Sequence, residues 1–179
     1  MKPFNILLSA LCVLFLFSGC EKIEFDGDFE ASQKMFQQFK KETDNTYLYK
    51  VVGGSWAGYS WYTTINVNQG KVVSRSYRLE GLKEGAEGPP QYEIIEEWTE
   101  EKDEIGTHSE GADPVTLDEI YSRAEKDWLK KRKGATTFFE VENNGMLSLC
   151  GYVPDGCMDD CFVGIRIDEI GKFDYKLFP

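Results

Sequence analysis

The chain is short of basic residues, of histidine and of long apolar runs, and each shortage excludes something. Its 179 residues hold 20 Lys and Arg against 31 Asp and Glu, a formal charge of −11. A surface of that sign repels phosphate backbones, so nucleic-acid binding is not expected. His108 is the single histidine, and Cys150, Cys157 and Cys161 follow no paired CxxC spacing, which makes a zinc site a poor fit. The longest apolar stretch, Ile6 to Phe17 relieved only by Ser9, falls well short of the ~20 residues that span a bilayer. Neither a metal nor an organic cofactor is expected.

What the N-terminus does contain is a basic start at Lys2, that apolar run, and the small residues Ser18 and Gly19 before Cys20. This is the order of a secretory signal. The segment Leu16-Phe17-Ser18-Gly19-Cys20 resembles the lipobox of bacterial lipoproteins, with Phe17 standing where leucine is commonest and Leu16 one place early. The resemblance implies cleavage before Cys20, a diacylglycerol on its thiol and an acylated new N-terminus. Two or three acyl chains anchor stably where one is marginal. Residues 1–19 are read as the signal peptide, 20–28 as an acidic tether and 29–179 as a single domain. The expected location is the cell envelope, membrane-anchored through the lipid on Cys20 and facing the periplasm or the cell surface. The signal takes Lys2 with it, so 19 basic residues then face 31 acidic ones, a formal charge of −12.

Cys12 also leaves with the signal and Cys20 is assigned to lipid, so the domain keeps three cysteines. An oxidising envelope favours one disulfide and one leftover thiol. Cys150 and Cys161 fall roughly opposite each other across a hairpin and are the first choice, with Cys150 and Cys157 next. Asp155, Asp159 and Asp160 surround the later pair with negative charge, which disfavours a reactive thiolate. The same carboxylates are candidate calcium ligands, although aspartates in turns are common without an ion.

Along the domain, Phe29, Phe36 and Phe39 predict a helix over 29–41, capped by an aspartate of Asp26-Gly27-Asp28. From Tyr47 the apolar period becomes two, with strands at 59–67 and 72–79. A three-residue loop, Asn68-Gln69-Gly70, places Ile65 opposite Val73, Trp61 opposite Tyr77 and Tyr59 opposite Leu79. The same choice at Asn143-Asn144-Gly145 pairs Val141 with Leu147 and Phe139 with Leu149. Residues 80–113 form an irregular insertion, mobile over 80–90, with a strand around 92–98 and a second short one at 105–108. Thr116-Leu117-Asp118-Glu119 is a capping box that opens a helix ended by Gly134. The basic run Lys130-Lys131-Arg132-Lys133 then meets the negative end of that helix's dipole. Further strands are expected at 136–142, 146–151, 161–169 and 172–178. The fold class is α+β: an antiparallel β-sheet, a meander of hairpins, packed with two α-helices.

Two groups of residues invite functional readings. Gly53-Gly54-Ser55-Trp56-Ala57 nearly matches a nucleophile elbow, and Asp103 and His108 follow in the order a hydrolase uses. Yet Ala57 replaces the last glycine, and a strand rather than a helix follows. The aromatic group Trp56, Tyr59, Trp61 and Tyr62 is split by alternation, so Trp56 and Tyr62 lie on the face opposite the core and are the candidate partner-binding residues.

Tyr47-x-Tyr49, the Asn-Gln-Gly turn, Thr116 to Tyr121 and the late Asn-Gly pair together resemble a family of small bacterial lipoproteins of unknown function. That resemblance implies a single sheet packed with helices and brings no activity with it. The functional expectation is a non-enzymatic envelope lipoprotein that binds a protein or a glycan, with a hydrolase built on Ser55 and His108 as the alternative.

Overall fold

The computed structural model describes residues 23–83, 85 and 89–173. Cys20, the signal segment, and Tyr175 and Leu177 of the last expected strand lie outside them. Helix α1 (Asp26–Glu42) comes first, followed by strands β1 (Tyr47–Gly54), β2 (Tyr59–Asn68), β3 (Lys71–Leu82) and β4 (Tyr92–Glu101). A loop then leads to α2 (Leu117–Arg123) and to β5 (Ala135–Glu140), β6 (Leu149–Pro154) and β7 (Val163–Lys172). The seven strands make one antiparallel sheet in the order β4-β3-β2-β1-β7-β6-β5, so two meanders meet where β7 pairs with β1.

Phe29, Ser32 and Phe36 recur at helical spacing on α1 and are its buried residues. They pack over Tyr47, Tyr49, Val51, Ile65 and Val67, the inward positions of β1 and β2. Phe36 stacks on Tyr121 of α2 with ring centroids 5.0 Å apart. Buried tyrosine hydroxyls then tie the layers together. Tyr47 accepts from the Leu117 amide at 3.0 Å, Tyr49 donates to the Val115 carbonyl, and Tyr121 accepts from the Leu147 amide at 3.1 Å. Burial pushes the Tyr47 and Tyr49 phenols well above their ordinary range and raises that of Tyr121, so all three act as neutral hydrogen-bonding groups.

The capping box of α2 is present in both directions: the Glu119 amide donates to Thr116 Oγ1 at 3.3 Å, and the Thr116 amide donates to Glu119 Oε2 at 2.8 Å. A single π turn, Ala124–Trp128, extends the helix, closed by Leu129 N donating to Ala124 O at 2.9 Å. The helix therefore stops before Lys130, short of Gly134. Of the basic run, Arg132 meets the helix end as expected, donating to the carbonyls of Asp127 and Trp128.

Several expectations are corrected. The cap of α1 is Phe25, in left-handed backbone geometry and without a side-chain cap; Asp26 and Asp28 sit in the first turn, where they oppose the helix dipole. No strand forms at 105–108, and the expected 161–169 strand is β7, which continues to Lys172. Glu80 to Leu82 belong to β3, so the connection to β4 is shorter than the 80–90 loop.

Both hairpin registers differ from expectation. Asn68 pairs with Lys71 and Asn143 bridges to Met146, so each turn has two residues, Gln69-Gly70 and Asn144-Gly145. All four have positive φ, the geometry that matches strand twist in a tight hairpin. The first turn is held from outside: Gly70 N donates to Asn45 O and Gln69 N to Thr46 Oγ1. A bulge between Asn66 and Val67 then moves the pairing on, giving Ile65 opposite Arg75, Thr63 opposite Tyr77 and Trp61 opposite Leu79. The inward face is the expected one, with partners displaced by two. In the second hairpin Glu140 faces Leu149 and Phe139 faces Cys150. Residues 146–151 are all buried there, so alternation could not fix a register.

Candidate functional site

The hydrolase constellation is not assembled. Ser55 lies in the β1–β2 turn beyond Tyr59, level with Gly81 and Glu93, while His108 sits on Glu100, seven residues along β4. That separation is about 20 Å of strand. Ser55 Oγ is occupied locally as the acceptor of the Ala57 amide, and His108 Nδ1 contacts Glu100 at 2.9 Å rather than Asp103.

His108 belongs instead to a knot at the base of β3 and β4. Glu100 is 0 % exposed, and its two oxygens receive Arg75 Nε and an Arg75 terminal nitrogen, each at 2.8 Å. The Gly106 and His108 amides add donors at 2.7 Å. Burial alone would raise the Glu100 pKa; the Arg75 fork, those two amides and the His108 ring outweigh it and hold the carboxyl well below the usual carboxylate range. Arg75 also donates to the carbonyls of His108 and Ala112, so this one pair pins the loop between β4 and α2. His108 stacks on Trp98 at 4.1 Å and Trp98 on Tyr77 at 5.2 Å. The knot is stapling rather than catalysis: every polar contact it makes goes back into the fold.

The cysteines also differ from expectation. Cys157 and Cys161 form the disulfide, with Cα atoms 6.2 Å apart, and Cys150 is the free, buried thiol. Cys150 sits opposite Phe139 on one side and Ile165 on the other, so its side chain belongs to the core and Cys161 is not its neighbour. Burial pushes the Cys150 thiol up to about 12, which leaves it unreactive in the folded state. Among the described residues no three His, Cys, Asp or Glu side chains converge on a common point, and Asp155, Asp159 and Asp160 do not form a cation site.

What remains as a surface of interest is the far end of β2, β3 and β4. The strands there run out past the helices, and β4 is exposed at every position from Tyr92 to Glu97. Trp56, 85 % exposed, stands at the tip of the β1–β2 turn, with exposed Tyr59, Leu82, Tyr92, Ile94 and Ile95 behind it. Two glycines make room for this group. A Cβ on Gly81 would strike Ile95 and Tyr59, and one on Gly58, in left-handed geometry, would strike Leu82. A bulge between Leu79 and Glu80 reorients the end of β4.

Tyr62, the other candidate, lies on the sheet face away from the helices. Its hydroxyl donates to Glu80 at 2.6 Å and the Lys50 ammonium lies over its ring at 5.1 Å. With Thr64, Ser76, Arg78 and Glu97 it lines a shallow groove of about 500 Å³. The structure thus places Trp56 and Tyr62 near one end of the sheet, but only Trp56 joins the apolar group. Alternation found the strand at 92–98, now β4, but not that Ile94 and Ile95 are both exposed, because a strand uncovered on both faces shows no inward and outward side. Arg75 did leave a signal, as a cation at an inward position among apolar residues.

Compared with models of protein families, with curated proteins and with solved structures, the chain matches none.

Proposed function

We propose that the protein is a lipid-anchored envelope protein whose α+β domain is a non-enzymatic binding module, meeting an envelope protein or glycan through the overhang of β2, β3 and β4. The observation that carries this reading is the run of exposed apolar and aromatic side chains from Trp56 to Ile95 on strands that no helix covers. Contiguous exposed apolar groups on an otherwise charged surface mark interaction sites. Aromatic residues in such a group supply contact area at low entropic cost. The separation of Ser55 from His108 gives the hydrolase alternative no support.

A photo-crosslinking residue placed in cells at Trp56 or at Ile94 tests the surface. A discrete heavier adduct is expected at both, and none at Lys34 on the exposed side of α1. Adducts at no position, or equally at Lys34, overturn the assignment. Mass spectrometry of the N-terminal peptide tests the anchor, and an unmodified Cys20 ends that half of the proposal.

A further inference from the structure

The described chain opens with two contacts that fix where a lipid anchor would pull. Ile23 bridges to Lys130 across antiparallel backbone, and Glu24 N donates to Leu129 O at 2.7 Å. The expected tether of residues 20–28 is therefore already part of the fold from Ile23, leaving only residues 20–22 as the link. Three chain steps reach at most about 11 Å. The attachment point lies beside the basic run of an acidic protein. Residues 125–133 carry five basic side chains against Glu125 and Asp127. Arg132 is spent on Asp127 and on carbonyls, and its guanidinium lies over Tyr152 of β6 at 3.8 Å. Lys131 and Lys133 are exposed and make no ion pair among the described residues. The opposite edge of the sheet is β4, whose Tyr92–Glu101 span holds five glutamates and no cation. Six strand spacings separate β4 from β5, about 29 Å.

From this polarity, and resting on the anchoring reading above, we infer that Lys131 and Lys133 form a docking surface for anionic phospholipid headgroups, which stands the sheet on its β5 and β6 edge. At physiological salt the Debye length is about 8 Å, so the glutamates of β4, about 29 Å across the sheet, are several screening lengths from headgroups at the other edge. Lys131 and Lys133 lie one and three residues past the bridge at Lys130, and the carboxylate nearest to them is Asp155, whose amide donates to Gly134 O at 2.8 Å; the net attraction is theirs less the repulsion of that one group. Polybasic segments beside a membrane anchor bind anionic leaflets on the same grounds. The orientation keeps the acidic β4 edge, and the overhang next to it, pointed away from the bilayer and open to a partner.

The test uses the acylated protein in vesicles of phosphatidylcholine alone and of phosphatidylcholine with about 30 mol % phosphatidylglycerol, a range in which surface potential attracts lysines. Lysines are labelled with a membrane-impermeant amine reagent and read by mass spectrometry. Labelling of Lys131 and Lys133 is expected to fall about threefold in the anionic vesicles, recovering at about 1 M salt, where the Debye length is about 3 Å. Lys71 and Lys102, toward the other edge, are expected to label equally in both. The K131E/K133E protein should lose the difference while still floating with the vesicles. Equal labelling of Lys131 and Lys133 in both vesicles, with flotation intact, overturns the headgroup contact and leaves the anchor standing. A protein that floats with neither vesicle overturns both.

Discussion

The two halves of the sheet are held in different ways. Where α1 and α2 cover β1, β6 and β7, the inward side chains are apolar or are tyrosines whose hydroxyls find backbone partners, and the hydrophobic core is continuous. Where β3 and β4 run clear of the helices, the buried anchor is an ion pair, Arg75 with Glu100, with Tyr77 buried beside it, and β4 is exposed from Tyr92 to Glu97. The covered half is stabilised by area removed from water, and the uncovered half by one charge network closing a loop. The contrast explains how a strand exposed at nearly every position stays ordered: its root is fixed, and its tip is left free for a partner.

The largest expected effect is in the covered half. Phe36 is 1 % exposed, stacked on Tyr121 and edge-on to Tyr47. Phe36→Ala should cost about 3–5 kcal/mol through lost transfer energy and the cavity left behind. Denaturant unfolding measures it, and a loss below about 1 kcal/mol would mean that α1 is not the lid of the core.

Next comes the root of the overhang. Glu100→Ala leaves the Arg75 guanidinium buried without a counter-charge, and breaking such a pair costs about 3 kcal/mol or more. Replacing both, as Arg75→Met with Glu100→Leu, should recover most of the loss if the network acts only as a staple. Acid tests the same pair. Glu100 has its pKa lowered in the folded state, so its contribution is fully present above the unfolded value of about 4.3 and is lost as pH falls from there toward the folded value. Between those limits the Glu100→Gln protein should show a flatter dependence of stability on pH. Parallel curves would remove Glu100 as a source of acid sensitivity.

The contrast also accounts for what was legible in the sequence. Periodicity found α1, the α2 capping box, the inward faces of β1 to β3 and the antiparallel sheet, because each puts apolar residues on one side of an element. It failed where burial is two-sided or absent. Residues 146–151 are buried throughout, so apolar matching chose the wrong register, and β4 from Tyr92 to Glu97 is buried on neither face. Tertiary contacts supplied the rest: Asn45 and Thr46 grip the Gln69-Gly70 turn, and the Cys157–Cys161 pair leaves Cys150 to the core. Neither could be read from local spacing.

The smallest effect on stability should come from the tip of the overhang, where the functional effect should be greatest. Ile94 and Ile95 are both about half exposed, and replacing them with Ser and Thr removes little buried area. Surface changes of this kind usually stay within about 0.5 kcal/mol. The double variant should therefore unfold with the wild-type midpoint while the crosslinked adduct at Trp56 disappears. If stability falls by more than about 1 kcal/mol, Ile95 packing over Gly81 and Tyr59 is part of what holds β4 in place, and the tip is structural rather than presented. If stability and adduct both survive, the partner touches the turn alone and the isoleucines are bystanders. Only an unchanged midpoint with a lost adduct fits an overhang whose root is built for strength and whose tip is built for contact.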